Sequence, residues 1–162
     1  FGLRPLGALR PSWRGLIAGI LGALPLVPLF LLFLKVDLPS FQRIRELLQR
    51  FLRPLMPALS PGTTLLLGLS AGIGEELLFR ALLQEGLTAL LGAPTALVIA
   101  SLVFGALHSV TKVYALYATL MGLYLGSLYL LTGTLLAPLI AHALYDAVGL
   151  YLLVRRRQSH AG

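Results

Sequence analysis

Glu75, Glu76, Arg80, His108, His142 and Asp146 are acid–base groups placed inside long apolar runs. An ionised side chain at the centre of a membrane-spanning helix is unfavourable by roughly 2.5–3.5 kcal/mol on insertion scales, so three in one run amount to about 8 kcal/mol unless partners or water offset it. Glu76 and Arg80 stand four residues apart and can form a salt bridge on one helix face. Glu75 lies about 100° further round the helix and is not covered by that pairing. His142 and Asp146 are also four apart and project together, as do Phe104 and His108. The chain has six Asp and Glu in all, and three of them belong to this set. A site sharing these groups can do one of three things. A Glu can deprotonate a positioned water while His donates hydrogen bonds. Glu75, His108, His142 and Asp146 can ligate a divalent metal such as zinc. The same groups can relay protons or ions across a bilayer. Spacing along the chain does not choose among them.

The elements that must position these residues are membrane helices. Of the 162 residues 57% are hydrophobic and 12% charged, with mean hydropathy +0.88. That is about half the charge a soluble domain carries, so the chain reads as a multi-pass integral membrane protein. With about 20 apolar residues per crossing, the sequence predicts an all-α protein of about five transmembrane helices plus one interfacial amphipathic helix. The spans fall at Leu16–Leu34, kinked by Pro25 and Pro28, at Thr63–Gln84, from Gly92 to about Val110, at Val113–Leu131 and at Leu135–Val154. Between the first two, Leu38–Arg53 sets Phe41, Ile44, Leu47, Leu48, Phe51 and Leu52 on one face and Arg43, Arg45, Glu46, Gln49, Arg50 and Arg53 on the other, with Ser40 as its expected N-cap. Pro54, Pro57, Pro61 and Gly62 are read as the break that follows. Residues 1–61 then form an N-terminal span with its amphipathic linker, and residues 62–162 the core that holds the polar groups.

Net charge is +7, from thirteen Lys and Arg against six Asp and Glu. The basic residues cluster between apolar runs, a pattern that suits anionic lipid head groups. No aromatic interleaving accompanies them, so nucleic acid is not an expected partner. The expected partners are the lipid bilayer, a peptide or membrane-protein substrate, and other membrane subunits. Five spans place Lys35, Arg43, Arg45, Arg50, Arg53, Lys112 and Arg155–Arg157 on one side and Arg4, Arg10 and Arg14 on the other, which makes the first side cytoplasmic. Cysteine is absent, excluding disulfides, thiolate metal sites and a Cys nucleophile. The spans show no repeated half with broken helices, which argues against a transporter.

Three short motifs carry a resemblance. Glu75-Glu76-Leu77-Leu78-Phe79-Arg80 matches Glu-Glu-x-x-x-Arg. Phe104-Gly105-Ala106-Leu107-His108 matches Phe-x-x-x-His. His142-Ala143-Leu144-Tyr145-Asp146 matches His-x-x-x-Asn except at its last position. In this order, each on its own predicted span, they resemble the CAAX-protease/bacteriocin-processing (CPBP) family of glutamic-type intramembrane proteases, over about Thr63–Gly149. The resemblance implies an intramembrane endopeptidase in which Glu75 activates the attacking water and His108 helps to hold it. It implies that His142 and residue 146 stabilise the oxyanion, that Glu76 and Arg80, with Phe104, support the site, and that the site has no obligatory metal. It also points to a prokaryotic cytoplasmic or thylakoid-type membrane. The departure is Asp146: an ionised Asp cannot donate to an oxyanion, though it can orient His142 or ligate a metal. A non-catalytic family member acting as a scaffold or subunit of a larger membrane complex is the alternative.

Overall fold

A computed structural model describes residues 12–54 and 59–158, and every regular element among them is helical. The first apolar run forms α1 (Trp13–Ala23) and α2 (Leu26–Lys35), broken at Leu24-Pro25. A proline there has no N–H to give the preceding turn and its ring crowds the carbonyl four residues back. Pro28 sits in the first turn of α2, where it is tolerated. The amphipathic segment is α3 (Pro39–Leu52), and its start differs from expectation: Leu38 occupies the N-cap position and Pro39 the first helical one, so Ser40 lies inside the helix. Proline's fixed φ and missing N–H suit the first position and override the Ser signal. Arg45 ties α3 to the end of α2 by donating from Nη1 to the carbonyls of Phe33 (2.8 Å) and Val36 (3.0 Å).

Pro61 and Gly62 open a helix instead of forming a break. Ser60 caps α4 (Pro61–Glu76): its hydroxyl accepts from the Thr63 N–H, and the Thr63 hydroxyl accepts from the Ser60 N–H. After Glu76 the winding widens into a π-helical segment, Leu77–Gln84, which runs on into α5 (Glu85–Leu91). Gly92, at φ 81°, turns the chain into α6 (Ala93–Leu107), which ends three residues before the expected Val110. Thr111 caps α7 (Lys112–Thr132), Gly133 closes it at φ 63°, a conformation glycine adopts without strain, and α8 follows (Leu136–Gln158). The Arg155–Arg157 run does not stop α8 at Val154, because basic residues are favourable in a last helical turn. Arg4, Arg10 and Pro57 lie outside the described residues.

The helix α8 is the hub, lying along α1 and α4 and touching α2 and α7, while α6 lies along α7. Small residues allow this closeness. A Cβ on Gly68 would stand 2.6 Å from the Ala143 carbonyl oxygen, and one on Gly19 would stand 2.7 Å from that of Ala137. Helices in lipid gain little from burying apolar surface against each other, so close backbone approach supplies the attraction. Large apolar side chains meanwhile point outward, among them Leu16, Ile17, Leu66, Leu102, Leu120 and Leu131, which a soluble protein does not tolerate in such numbers. Three stretches are long and apolar enough to cross a bilayer: Trp13–Lys35, Lys112–Thr132 and Leu136–Arg155, with mean hydropathies of 2.5, 1.4 and 1.5. Apolar α6, with 15 residues, is about 22 Å long at 1.5 Å per residue.

Candidate active site

The three motifs converge where the end of α4, the end of α6 and the middle of α8 meet. The two glutamates face different partners. Glu76 is fully buried and Arg80 is 2% exposed, and Glu76 Oε2 stands 3.1 Å from Arg80 Nε. Glu76 Oε1 lies 2.8 Å from His142 Nδ1. An ionised carboxylate only accepts, so Nδ1 carries the proton and Nε2 of His142 turns toward the remaining acids. There it meets Asp146 Oδ2 at 3.4 Å and Glu75 Oε2 at 3.8 Å. Glu75, about 31% exposed on its side chain, also stands 3.7 Å from His108 Nε2.

His108 is the C-cap of α6. Its Nδ1 is 2.8 Å from the Phe104 carbonyl, which again only accepts, so its Nε2 is likewise the atom presented to Glu75. The imidazole stacks on the Phe104 ring at 4.3 Å, and Arg80 lies over the same ring at 5.1 Å. Phe104 thus separates the buried guanidinium from the half-buried histidine and holds both in place. Two imidazoles therefore turn Nε2 toward one carboxylate, at separations too long for direct hydrogen bonds; a water lying to one side can reach the carboxylate and an Nε2 together. All seven expected site residues lie in this one cluster: Glu75, His108, His142 and Asp146 around the gap, with Glu76, Arg80 and Phe104 behind them.

Holding Nδ1 on an acceptor is also how proteins orient metal-ligating histidines. Among the described residues, however, no group of three or more His, Asp or Glu side chains is arranged to hold a metal ion.

Several supporting features were not readable from the sequence. The Glu76–His142 bond makes Glu76 an orienting group, not only Arg80's partner. Beyond Arg80, the buried Gln84 donates from Nε2 to the Gly126 carbonyl (3.2 Å), and Arg80 Nη2 donates to that of Gly122 (3.2 Å). A Cβ on Gly126 would meet Gln84 Oε1 at 2.6 Å, so the glycine pair four residues apart on α7 was the available signal for this contact. The π-helical winding has no such signal; insertions of this kind are frequent at functional sites. Beside the cluster a cavity of about 490 Å³ opens between α2, α3 and the α4–α7–α8 face. Its lining is apolar for the most part, with Asp146 and Tyr114, Tyr117 and Tyr145 as the polar members.

The family model for type II CAAX prenyl endopeptidases, Rce1-like, matches residues 57–148, a stretch that holds all three motifs. No curated protein and no solved structure matches the chain.

Proposed function

We propose that this chain, which belongs to the Rce1-like family of type II CAAX prenyl endopeptidases, hydrolyses a peptide bond within or beside the membrane using a water activated by Glu75. The family points to a membrane protease, and the resemblance of the three motifs suggests the role of each residue. The observation that carries it is the position of Glu75 Oε2, 3.7 Å and 3.8 Å from two imidazole Nε2 atoms. A water in that gap can give a proton to Glu75 while its oxygen attacks the scissile carbonyl, and His108 holds it in line. His142, fixed by Glu76 at Nδ1, can donate from Nε2 to the developing oxyanion when its imidazole carries both protons. The proton on Glu75 then passes to the leaving amine. Glu76, Asp146 and Glu75 bring three carboxylates against one obligate cation, Arg80, and the imidazoles are the groups able to supply compensating charge.

We also read five crossings, adding α4 with its π-helical continuation and α6 to the three long apolar stretches. Supporting this, α4 lies along α8 and α6 along α7. The end of α2, the start of α7 and the later half of α8 line one cavity, and these same ends carry Lys35, Lys112 and Arg155 in the sequence, which supports a cytoplasmic face on that side. The test is to incubate purified protein in detergent with a peptide library in ¹⁸O-labelled water and read the products by mass spectrometry. The reading expects cleavage with one ¹⁸O in each new carboxylate. No cleavage of any peptide, together with a partner protein co-purifying in fixed ratio, would replace it with the scaffold role.

A further inference from the structure

The wall of the cavity beside the site carries more hydrogen-bond donors than the protein uses. The Tyr117 and Tyr145 hydroxyl oxygens are 2.6 Å apart. Each hydroxyl has one proton, and one of the two lies between them. The other has no acceptor among the described residues. Tyr114 stacks on Tyr117 (ring centres 6.3 Å apart, 15° between planes) and meets His108 edge-on at 6.5 Å. Its own hydroxyl makes no hydrogen bond with the described residues. Phe30 packs edge-on against Tyr145 at 5.8 Å and restrains that ring. The three tyrosines are part-buried, and their unused O–H groups are open to a ligand in the cavity that offers an acceptor. Two O–H groups in all lack an acceptor among the described residues, and both line the apolar cavity that reaches Asp146, which itself stands 3.4 Å from His142 Nε2.

We infer that Tyr114, Tyr117 and Tyr145 form a donor strip that takes backbone carbonyl oxygens of an extended substrate peptide and leads it to the site. This rests on the protease reading above. The ligand chemistry follows from the wall. Its lining includes Asp146 and no Lys or Arg, so a neutral acceptor fits and an anion does not. A carbonyl in a helix is already engaged within its own segment, so the strip selects peptide that is unwound or extended where it is cut. The tyrosines are positioning residues: they hold the substrate and take no part in moving the proton.

The test uses the full chain in detergent with a cleaved library peptide and the variants Tyr114→Phe, Tyr117→Phe, Tyr145→Phe and Tyr117→Phe/Tyr145→Phe. Phenylalanine keeps the rings and removes the donors. Tyr114→Phe and the double variant are each expected to raise KM about three- to tenfold, the worth of one hydrogen bond, with kcat within about twofold and melting unchanged. Either single change in the Tyr117–Tyr145 pair leaves one hydroxyl able to donate and is expected to act less than the double. A second readout needs no variant to fold. Peptides in which one amide at a time is replaced by an ester, whose carbonyl is a weaker acceptor, should show a rise in KM at one or two positions in the wild type. An unchanged KM in the double variant, a loss confined to kcat, or an ester series flat at every position overturns the strip. Glu75→Gln is run in parallel, and Kd of the same peptides for it is measured without turnover. Retained cleavage in Glu75→Gln removes the catalytic assignment and leaves the strip to be judged on Kd alone.

Discussion

Replacing Arg80 by Ala should damage the fold far more than replacing Glu75 by Gln. Arg80 and Glu76 are 2% and 0% exposed, and among the described residues no other cation lies on Glu76 except His142 when it is protonated. Arg80 also donates to the Gly122 carbonyl and covers the Phe104 ring, so its loss removes an ion pair, a helix–helix hydrogen bond and a stacking contact together. Breaking one side of a buried pair is unfavourable by about 3–5 kcal/mol because the remaining charge stays buried. The pair is already short of hydrogen bonds, since Glu76 Oε2 and Arg80 Nη1 have none among the described residues. Glu75, by contrast, is part-exposed and opposite groups at 3.7 Å or more. Yield of monodisperse protein and thermal melting in detergent, compared for the wild type, Arg80→Ala, Arg80→Lys and Glu75→Gln, read the difference. Lys keeps the charge without the planar contact to Phe104 and should fall between. Glu76→Gln/Arg80→Met should recover much of the loss, because Gln still accepts from His142 Nδ1 and no unpaired charge remains. Equal melting for Arg80→Ala and Glu75→Gln would refute the pairing as a structural support.

Three further outcomes follow. Gly68→Ala should destabilise by about 1–3 kcal/mol, because its Cβ would press on the Ala143 backbone. Gly74→Ala, with open space around it, should be neutral or slightly stabilising, and melting of the two variants checks both. Asp146→Asn replaces an acceptor by an amide that can also donate and should maintain or raise turnover; a fall in turnover with sensitivity to added zinc would instead mark Asp146 as a metal ligand. Metal analysis of the wild type gives the independent check: the account expects less than stoichiometric zinc and activity that survives a chelator.

Contacts within one helix were legible in the sequence because helical spacing fixes them. Glu76 with Arg80, Phe104 with His108 and His142 with Asp146 all follow from a four-residue step. The helical class and the three long apolar stretches followed from composition and run length. Contacts between helices were not legible. Which glutamate would face which histidine depends on how α4, α6 and α8 pack, and the sequence reading gave Glu76 only Arg80, missing His142. The π-helical segment depends on tertiary packing and leaves no mark in residue type. Two boundaries differ from expectation for one reason: Pro39 and Pro61 each start a helix, where the sequence suggests Ser40 as a cap and Pro61-Gly62 as a break. Proline acts as a breaker only inside a helix, and the pattern Ser60-Pro61-Gly62-Thr63 already contained the cap.

The central claim is that Glu75 accepts the proton of the attacking water. The direct measurement is kcat for Glu75→Gln against wild type, on one peptide, with melting and helicity matched between the two proteins. Gln keeps the size and some hydrogen bonding and cannot serve as the base. The account predicts a loss of at least about 100-fold, the usual worth of a general base, while Kd for the peptide holds. Turnover in Glu75→Gln close to wild type would contradict it.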